Sequence, residues 1–470
     1  MKKLLLVLMT CSLAIAGASE ATAKTVAGRL DPSFGKGGKA TIAFPAQNAG
    51  NVGVKYELPF QFTAGHIEMA AAPDGKLIVA GSTKVARLLR SGKFDQSFGS
   101  GGSATIPQPP GMTFVLAGAA VDSQGRVLLA GSARPLPSSS TPDPLLSSAV
   151  VVRLNTDGSL DPSFASGGML VTDFGTGAPT VPTGKYTGPA IGIRSIVVDP
   201  QGRPLLTGGF VAKASTCFPS STISTAFVAR LTDAGSLDSS FGEGGLRKIT
   251  NLASFGQGSL TPAGTLFTVG SGNARCGEEG GGPAVVLTSL DANGVLDQGF
   301  GFSGFRSIGY PQPPVATVAP SGKIVLLGAR RKQTQLVTRL LPNGAPDPSF
   351  GRTGRVSIQL PAATGLAAVA VDKRGRLLFA GRSSKRISKS PKNQLRRSSF
   401  VLARMNADGD FDRAFGRRGS VRTGFGGPAN SFATEILIDA RGRIVVGGGI
   451  TTPRLGTGGG FAIARYFSGR

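Results

Sequence analysis

The chain has 470 residues, of which 70 are Gly and 31 are Pro, a composition that argues against an architecture of long helices. It carries 51 Lys and Arg against 26 Asp and Glu, and the formal net charge of +25 favours polyanionic partners. The single histidine, His66, excludes a zinc site with several His ligands.

The N-terminus has the features of a secretory signal. Lys2 and Lys3 precede a mostly apolar stretch, residues 4–16, which is too short to span a bilayer. The small residues at 21–23 fit a cleavage site. We therefore expect a signal peptide over residues 1–23 and a mature protein that is secreted or lies in the periplasm or cell envelope. No further segment is apolar enough to predict a transmembrane helix in the mature chain.

The first repeat unit predicts four short strands. Lys39–Phe44 has a strand-like composition after a Gly-Gly turn, and Ile67–Ala72 is an apolar run. An Asp-Gly pair, a strong hairpin signal, separates that run from Leu77–Ala80, and Val85–Leu89 follows. Short strands at regular spacing with turn signals indicate an all-β fold.

Three short phrases then recur seven times in the same order. The first reads LDPSFG, the second is a turn and an apolar run ending in Gly, and the third ends in Arg-Leu or a similar pair. The aspartates of the first phrase are Asp31, Asp95, Asp161, Asp238, Asp297, Asp347 and Asp412. A period of 50 to 77 residues indicates one supersecondary unit repeated with variable loops.

A four-stranded sheet of this size buries its faces only against neighbours. We therefore predict a seven-bladed β-propeller over residues 24–470, built from repeats of about 60 residues with four strands each. An open β-solenoid is the alternative. Because the chain begins and ends in the same phase of the repeat, the two ends are predicted to meet, with a closing strand between them.

The phenylalanine of the first phrase is expected to be a core anchor between blades, since it fills the same slot in every copy. The Asp before it is expected to accept a backbone N–H in an Asx-turn. The seven are Phe34, Phe98, Phe164, Phe241, Phe300, Phe350 and Phe415.

These phrases resemble the delta-60 repeat family of secreted bacterial proteins, and the resemblance covers residues 28–470. It implies a tandem-repeat, propeller-like protein of the bacterial envelope and no agreed activity. Two departures stand out: Ser289 replaces the Arg of the third phrase in the fourth unit, and units five to seven lose one Gly of the Gly-x-Gly-Gly run. The first turns of those three units are therefore expected to differ.

A recurring arginine of the third phrase suggests a ring of cations. If these side chains face the axis, they form an anion site; alternatively, each pairs with the Asp of the adjoining turn, a reading that we favour. The six are Arg87, Arg153, Arg230, Arg339, Arg404 and Arg465.

A Ser-rich basic loop is the second concentration of positive charge. We predict that it lies between strands three and four of the sixth unit. It is either a solvated surface loop without a partner or a contact for anionic polymers at the cell envelope. Its cations are Arg382, Lys385, Arg386, Lys389, Lys392, Arg396 and Arg397.

Two cysteines remain after signal removal, Cys217 and Cys276, in the same stretch of consecutive units. Because export permits disulfides, we expect a bond between them; two unpaired thiols are the alternative. No CxxC spacing indicates a metal, and Asn-x-Asp-Gly runs such as that at Asn155 are read as hairpin turns rather than calcium sites.

No catalytic residue is predicted. The sequence has no Gly-x-Ser-x-Gly elbow and no phosphate-binding loop, and His66 starts a predicted strand, where a structural role is expected. We therefore expect a non-enzymatic interaction module without cofactor or metal, which binds anionic polymers or a partner protein rather than nucleic acid.

Its long insertions, Pro135–Ser148, Lys213–Thr225 and Arg382–Arg397, share one position in the unit and should crowd one rim. The alternative is a propeller-type hydrolase or lyase with a site at the axial funnel. A deep axial pocket with His66 or converging carboxylates would favour the enzyme, and a shallow axis with a basic rim would favour binding.

Overall fold

A computed structural model describes residues 26–42, 68–135, 147–175, 191–214, 222–249, 252–272, 285–309, 314–331, 333–361, 364–386, 396–426, 429–451 and 460–469. The described residues form strands and turns, with no helix among them. They include no helix that would be long and apolar enough to cross a membrane.

Seven antiparallel sheets of four strands make up the fold, so the prediction of a seven-bladed β-propeller is confirmed. The first strands of the blades line a central channel. They are β2 (Glu68–Ala71), β6 (Met112–Val121), β10 (Ile191–Val198), β14 (Leu252–Leu260), β18 (Val315–Val318), β22 (Thr364–Val371) and β26 (Asn430–Ile438).

The second and third strands form the middle of each blade. The second strands are β3 (Leu77–Ala80), β7 (Val127–Pro135), β11 (Pro204–Ala214), β15 (Leu266–Gly272), β19 (Ile324–Arg331), β23 (Leu377–Arg386) and β27 (Ile444–Thr451). The third strands are β4 (Lys84–Leu88), β8 (Ser148–Leu154), β12 (Thr222–Arg230), β16 (Val285–Leu290), β20 (Thr334–Leu340), β24 (Arg396–Met405) and β28 (Gly460–Tyr466).

The fourth strands are the outermost, and one of them closes the ring. They are β5 (Ser103–Thr105), β9 (Met169–Thr172), β13 (Leu246–Ile249), β17 (Phe305–Ile308), β21 (Arg355–Gln359), β25 (Ser420–Thr423) and, in the seventh blade, β1 (Lys39–Ile42). Because β1 pairs with β28, from Lys39↔Ala464 to Ile42↔Phe461, the predicted closing strand is confirmed.

The blade and the sequence unit are out of phase by one strand. The strand after each LDPSFG turn pairs backward with the third strand before it, as β5 does with β4, rather than forward with the next run. The first strand of each unit therefore belongs to the preceding blade. In consequence, the insertions predicted between strands three and four of a unit join strands two and three of a blade.

The core lies between neighbouring blades. Apolar side chains of adjacent sheets form contiguous buried clusters, such as the one that joins Leu128 and Ala149 of the second blade to Leu206 and Phe227 of the third. The seven phrase phenylalanines are at most 2% exposed, so they are core anchors, as predicted.

The first turns of units five to seven do not all differ as predicted. Gly37 has φ +60°, and its counterparts Ser303 and Arg418 adopt φ +49° and +52°, so two of the three turns keep the left-handed residue without Gly.

Candidate functional site

Each recurring arginine lies inside a cluster that joins two blades. The Arg87 Nε donates to Asp95 Oδ2 at 2.8 Å, and its Nη2 donates to Ser97 Oγ at 3.1 Å. The guanidinium stacks over Phe98, 4.7 Å from the ring centroid, and Nη1 donates to the Thr156 carbonyl of the next blade. Each of the three guanidinium nitrogens thereby donates a hydrogen bond within the protein.

The same arrangement repeats in six blades, so the pairing alternative describes these arginines. The Arg and Asp pairs are Arg87–Asp95, Arg153–Asp161, Arg230–Asp238, Arg339–Asp347, Arg404–Asp412 and Arg465–Asp31. Each Nη1 also reaches the next blade, at the carbonyls of Thr156, Asp233, Ala292, Ala407, Ser468 and Arg90 respectively.

The geometry does not place these arginines at the axis, as an anion ring there requires. They lie on third strands, and the first and second strands of each blade separate them from the channel. All six are buried, with exposed fractions of 1–6%. The reason is the turn that follows: Asp95 N bonds to Arg87 O, which folds the LDPSFG turn back onto the guanidinium.

Five aspartates of these clusters are held in their charged form. Burial by itself raises the pKa of Asp31, but hydrogen bonds from Ser33 and the charges of Arg465 and Arg443 outweigh it, so the pKa lies below the usual value of 3.8. The Ser33 N–H bond to Oδ1, 3.0 Å long, is the predicted Asx-turn. The pKa values of Asp95, Asp161, Asp238 and Asp347 are lowered in the same way.

The fourth blade departs from this pattern. Ser289 stands at the arginine position and reaches Asp297 only through a 3.3 Å hydroxyl contact. In other blades a second cation also contacts the phrase aspartate, as Lys323 does with Asp347 at 2.9 Å, but Thr265 holds that position in the fourth blade. Among the described residues no ion pair involves Asp297, so the joint between blades four and five lacks the arginine bridge.

The basic loop is largely a β-hairpin. β23 and β24 pair continuously out to Lys385↔Arg397 and Arg386↔Arg396, so like charges stand opposite each other on a two-stranded ribbon. Pairing of β23 with β22 ends at Ser383, and pairing of β24 with β25 begins at Phe400. The ribbon that carries these cations therefore extends beyond the four-stranded blade.

The cations of this ribbon contrast with the buried arginines. The side chains of Arg382, Lys385 and Arg397 are exposed, and no acidic residue lies in β23 or β24. Like charges directly opposite on paired strands destabilise a ribbon, so an anion between them would relieve repulsion. Lys389 and Lys392 lie outside the described residues.

Positive charge is concentrated in the whole sixth blade. Residues 364–423 contain fifteen Lys and Arg against four Asp, a net +11 of the chain's +25. Exposed cations also mark its other end, at Lys373, Arg374, Arg413 and Arg417 in the turns between its first and second and its third and fourth strands. The hairpin differs from those turns by carrying its cations on a protruding ribbon.

The channel between the first strands has a volume of about 480 Å³, and both aliphatic residues and polar residues such as Ser195, Gln257 and Thr434 line it. Three charged residues line it: Glu68 of β2, Arg194 of β10 and Glu435 of β26. Arg194 is the extra residue of a β-bulge between Ile193 and Ser195, a device that redirects a side chain. Burial lowers the pKa of Arg194.

Glu68 and Glu435 occupy one register position in adjacent blades. Glu68 pairs with Ala80 and Glu435 with Gly447, each one residue before the glycine of the second phrase. Burial in the channel wall, and then the neighbouring charge of Glu68, raise the pKa of Glu435 well above its usual value. The channel thus contains two neighbouring carboxyls, one of the two features that the sequence analysis expected of an enzyme; the other, His66, lies outside the described residues.

Sequence reasoning missed this carboxyl pair. The signal was a Glu in the apolar second strand of two units, where blades two, three, five and six have Gly118, Ser195, Val315 and Ala368 at the corresponding position. The two units are the first and last in the chain, so only ring closure brings the two side chains together.

Several sequence predictions lie outside the described residues. These are the signal peptide, His66, and the bond between Cys217 and Cys276. The insertions do share one position, since they join β7 to β8, β11 to β12 and β23 to β24. Within the described ranges, no group of three or more His, Cys, Asp or Glu could hold a metal ion. The run at Asn155 closes a turn, with Gly158 N bonded to the Asn155 carbonyl.

A family model described as a domain of unknown function, DUF5122 beta-propeller, matches residues 72–98, 147–164 and 319–350. These segments lie in the first, second and fifth blades, so the chain is a β-propeller repeat protein. No curated protein matches the chain.

Among solved structures, the chain is similar to a gluconolactonase from Xanthomonas campestris, with 13% identity over 68% of this chain and 84% of that one, at a TM-score of 0.35. It is also similar to a PQQ-bound aldose sugar dehydrogenase from Streptomyces coelicolor, with 13% identity over 73% and 92%, at a TM-score of 0.37. The polysaccharide lyase Uly1 matches with 13% identity over 75% and 81%, at a TM-score of 0.41. The activities in these names belong to those proteins.

Proposed function

We propose that this protein is a secreted, non-enzymatic propeller of the delta-60 type, whose β23–β24 ribbon binds anionic polymers at the bacterial envelope. One observation carries the proposal: two like-charged pairs, Lys385↔Arg397 and Arg386↔Arg396, stand opposite each other on a ribbon that projects beyond its blade. A rigid sheet presenting a protruding loop is a common arrangement for recognition.

The chemistry of the ribbon favours a flexible polyanion over a compact ligand. Its cations occupy neighbouring positions on two paired strands, so they can contact several carboxylate or phosphate groups of one polymer. The buried arginines cannot compete for this ligand, because their donors already bond to Asp, Ser and backbone carbonyls.

The test is a titration with polygalacturonate and with polyphosphate, and with uncharged dextran as the control ligand. Binding should weaken steeply as salt rises from about 0.1 M to about 1 M, since the Debye length falls from about 10 Å to about 3 Å. A salt-independent affinity would contradict an electrostatic contact.

A matched pair of variants locates the contact. One variant replaces Lys385, Arg386, Arg396 and Arg397 with Gln; the control replaces Lys373, Arg374, Arg413 and Arg417 with Gln. Both lose four positive charges from the same blade, but at opposite ends of its strands. The hairpin variant should lose binding and the control should keep most of it. Equal losses would show that net charge alone attracts the polymer.

The enzyme alternative is favoured by the channel carboxyls, because a carboxyl with a raised pKa beside a second carboxyl is a common acid and base arrangement. Cleavage of a bound polysaccharide that depends on Glu435 and survives in the hairpin variant would replace the binding proposal.

A further inference from the structure

A cleft between the fifth and sixth blades takes no part in the proposed polymer contact. It lies where first strands turn into second strands, at the opposite end of the blades from the β23–β24 ribbon. The turn 319–323 of blade five and the turn 372–375 of blade six form its two walls, and Ala407 and Asp408 of blade six contribute to it. Its volume is about 450 Å³, within the range of about 300–1,000 Å³ of small-molecule sites.

Two cations on the sixth-blade wall have no partner in the described part of the chain. The side chains of Lys373 and Arg374 are exposed, and neither forms an ion pair or a hydrogen bond with a described residue. Only the backbone N–H of Arg374 is engaged, by Asp372 Oδ1 at 2.9 Å. The charge of both side chains is therefore available to a ligand in the cleft.

Lys323, on the fifth-blade wall, is less neutralised than its counterpart in the first blade. The two turns differ in sequence only at Ser321, where the first blade has Asp74. Lys76 pairs with Asp74 at 3.1 Å as well as with the phrase aspartate of its blade, at 3.0 Å. Among the described residues Lys323 pairs only with its phrase aspartate, Asp347, at 2.9 Å. At this wall a hydroxyl, which can donate a hydrogen bond to an anion, thus replaces a carboxylate.

The fifth-blade wall also lacks a second carboxylate that most other blades have. In blades two, three, six and seven an Asp begins this turn and pairs with the Arg four residues later, as Asp199 does with Arg203 at 2.8 Å. Ala319 holds that position in blade five. The equivalent cleft between blades three and four shows the contrast, since Asp199 and Asp291 line it without a cation and its volume is only about 10 Å³.

The two acidic residues that line the larger cleft are engaged within the protein. Asp372 pairs with Arg376 at 2.6 Å, and the exposed Asp408 accepts the Asp410 N–H at 3.0 Å. The fourth lining cation, Arg339, uses its nitrogens inside the buried cluster described above. The cleft thus presents an excess of positive charge from two walls.

Three cations on two walls fit a phosphate group better than a carboxylate. A phosphate monoester has three terminal oxygens and a charge of about −1.5 to −2 at neutral pH, and a guanidinium binds it through two parallel hydrogen bonds. A carboxylate offers two oxygens and a single charge. Ala319, Pro320 and Ala407 supply an apolar surface for a small organic body beside the charged group.

From this arrangement we infer that the cleft between blades five and six is a binding site for a small phosphate monoester, whose phosphate contacts Lys323, Lys373 and Arg374. The ligand bridges two blades, so binding stabilises the folded ring by mass action. Its affinity falls as pH drops below about 6, because the phosphate loses its second charge there while Lys and Arg side chains stay protonated.

The probe is phenyl phosphate, titrated by calorimetry into the full mature chain at constant ionic strength. The expected result is one site per chain, with weaker binding at about pH 5 than at about pH 7.5. Benzoate, which has fewer oxygens and less charge, and inorganic phosphate, which lacks the organic body, should each bind at least about tenfold more weakly. Phenol, which carries no charge, should not bind.

A matched pair of double variants locates the site. Lys373→Gln with Arg374→Gln should weaken binding about ten- to hundredfold, as expected for lost charge-assisted hydrogen bonds. Arg413→Gln with Arg417→Gln removes the same charge from the same end of the same blade, but outside the lining, and should bind like the wild type. Thermal melts establish that each variant is folded.

Ser321→Asp transfers the carboxylate of the first-blade turn to this cleft. It should weaken phenyl phosphate binding by a similar factor, because the new carboxylate neutralises Lys323 and repels the phosphate. Its thermal midpoint should be no lower than that of the wild type, since the new pair repeats the contact between Asp74 and Lys76.

Four results would overturn the inference. These are no phenyl phosphate binding to the folded wild type, equal losses of affinity in the two double variants, unchanged affinity in Ser321→Asp, or benzoate binding as tightly as phenyl phosphate. Inorganic phosphate that binds as tightly as phenyl phosphate would assign the cleft to the free ion and would also reject the monoester.

Discussion

Two sets of cations in one blade show how burial and pairing separate structural arginines from available ones. Arg404 lies in β24 with its guanidinium 4.3 Å from the centroid of the Phe415 ring, bonded to Asp412 and to the Ser468 carbonyl of the next blade. Arg397, seven residues earlier on the same strand, is exposed opposite Lys385. Both residues are arginines. They differ because the turn after β24 covers Arg404, whereas no part of the sheet covers Arg397.

Removal of one buried arginine is the strongest test of the difference between the buried and the exposed cations. Arg230→Ala should destabilise the protein by about 3–5 kcal/mol, because it leaves Asp238 without its main cation in a mostly buried site. Neutralising four ribbon cations should change stability by less than about 1 kcal/mol. Urea unfolding of both variants measures the difference. An Arg230→Ala loss within 1 kcal/mol of the ribbon variant would contradict it.

Low pH should reduce the stability that the buried clusters contribute and should leave the charge of the ribbon unchanged. Asp31, Asp95, Asp161, Asp238 and Asp347 have pKa values below 3.8, so the stabilisation that they contribute is present above that pH and is lost as pH falls through the lowered values. We expect stability to hold from pH 7 to about pH 4 and then to fall steeply. Unfolding measured by circular dichroism across this range checks it; a loss that starts near pH 6 would point to other groups.

The interface between blades four and five, which lacks the arginine bridge, allows the opposite test, in which an arginine is added. Ser289→Arg should place a guanidinium beside Asp297 and above Phe300, within reach of the fifth blade. Because burial offsets part of the gain from charge-assisted bonds, we expect a stabilisation of about 1 kcal/mol. Ser289→Met is the control for apolar filling alone. A destabilised Arg variant would show that the fourth blade has closed over this space.

The smallest expected effect on stability concerns the last residue of the LDPSFG turn. Ala165 adopts φ +47° where the other copies of the phrase have glycine, as at Gly99 with φ +56°. Ala165→Gly should stabilise the protein by about 0.5 kcal/mol, since the relief of left-handed strain exceeds the added chain entropy. Gly99→Ala is the opposing control, because its Cβ would lie 2.2 Å from the Ser103 carbonyl oxygen. The thermal unfolding midpoint should rise in Ala165→Gly and fall in Gly99→Ala; a lower midpoint for Ala165→Gly would contradict the prediction.

The sequence repeat made the fold predictable. Contacts that form only when the ring closes could not be predicted from it. Leu77–Ala80 was predicted with its observed bounds, because the Asp-Gly hairpin before it and the Gly after it fix both ends. The phase of the blade could not be predicted, since the run after LDPSFG can pair forward or backward and only the sheet register decides. The pairing of Arg87 with Asp95 was foreseeable from local spacing. The meeting of Glu68 with Glu435 was not, because it depends on the two ends of the chain.

Arginine-specific dicarbonyl labelling, read by mass spectrometry with and without polygalacturonate, tests both halves of this comparison in one measurement. The account predicts that Arg382 and Arg397 react in the native protein and become protected by the polymer. It also predicts that Arg87, Arg153, Arg230, Arg339, Arg404 and Arg465 stay unlabelled until the protein unfolds. Labelling of the buried six in the native state, or ribbon arginines that react equally with and without the polymer, would contradict it.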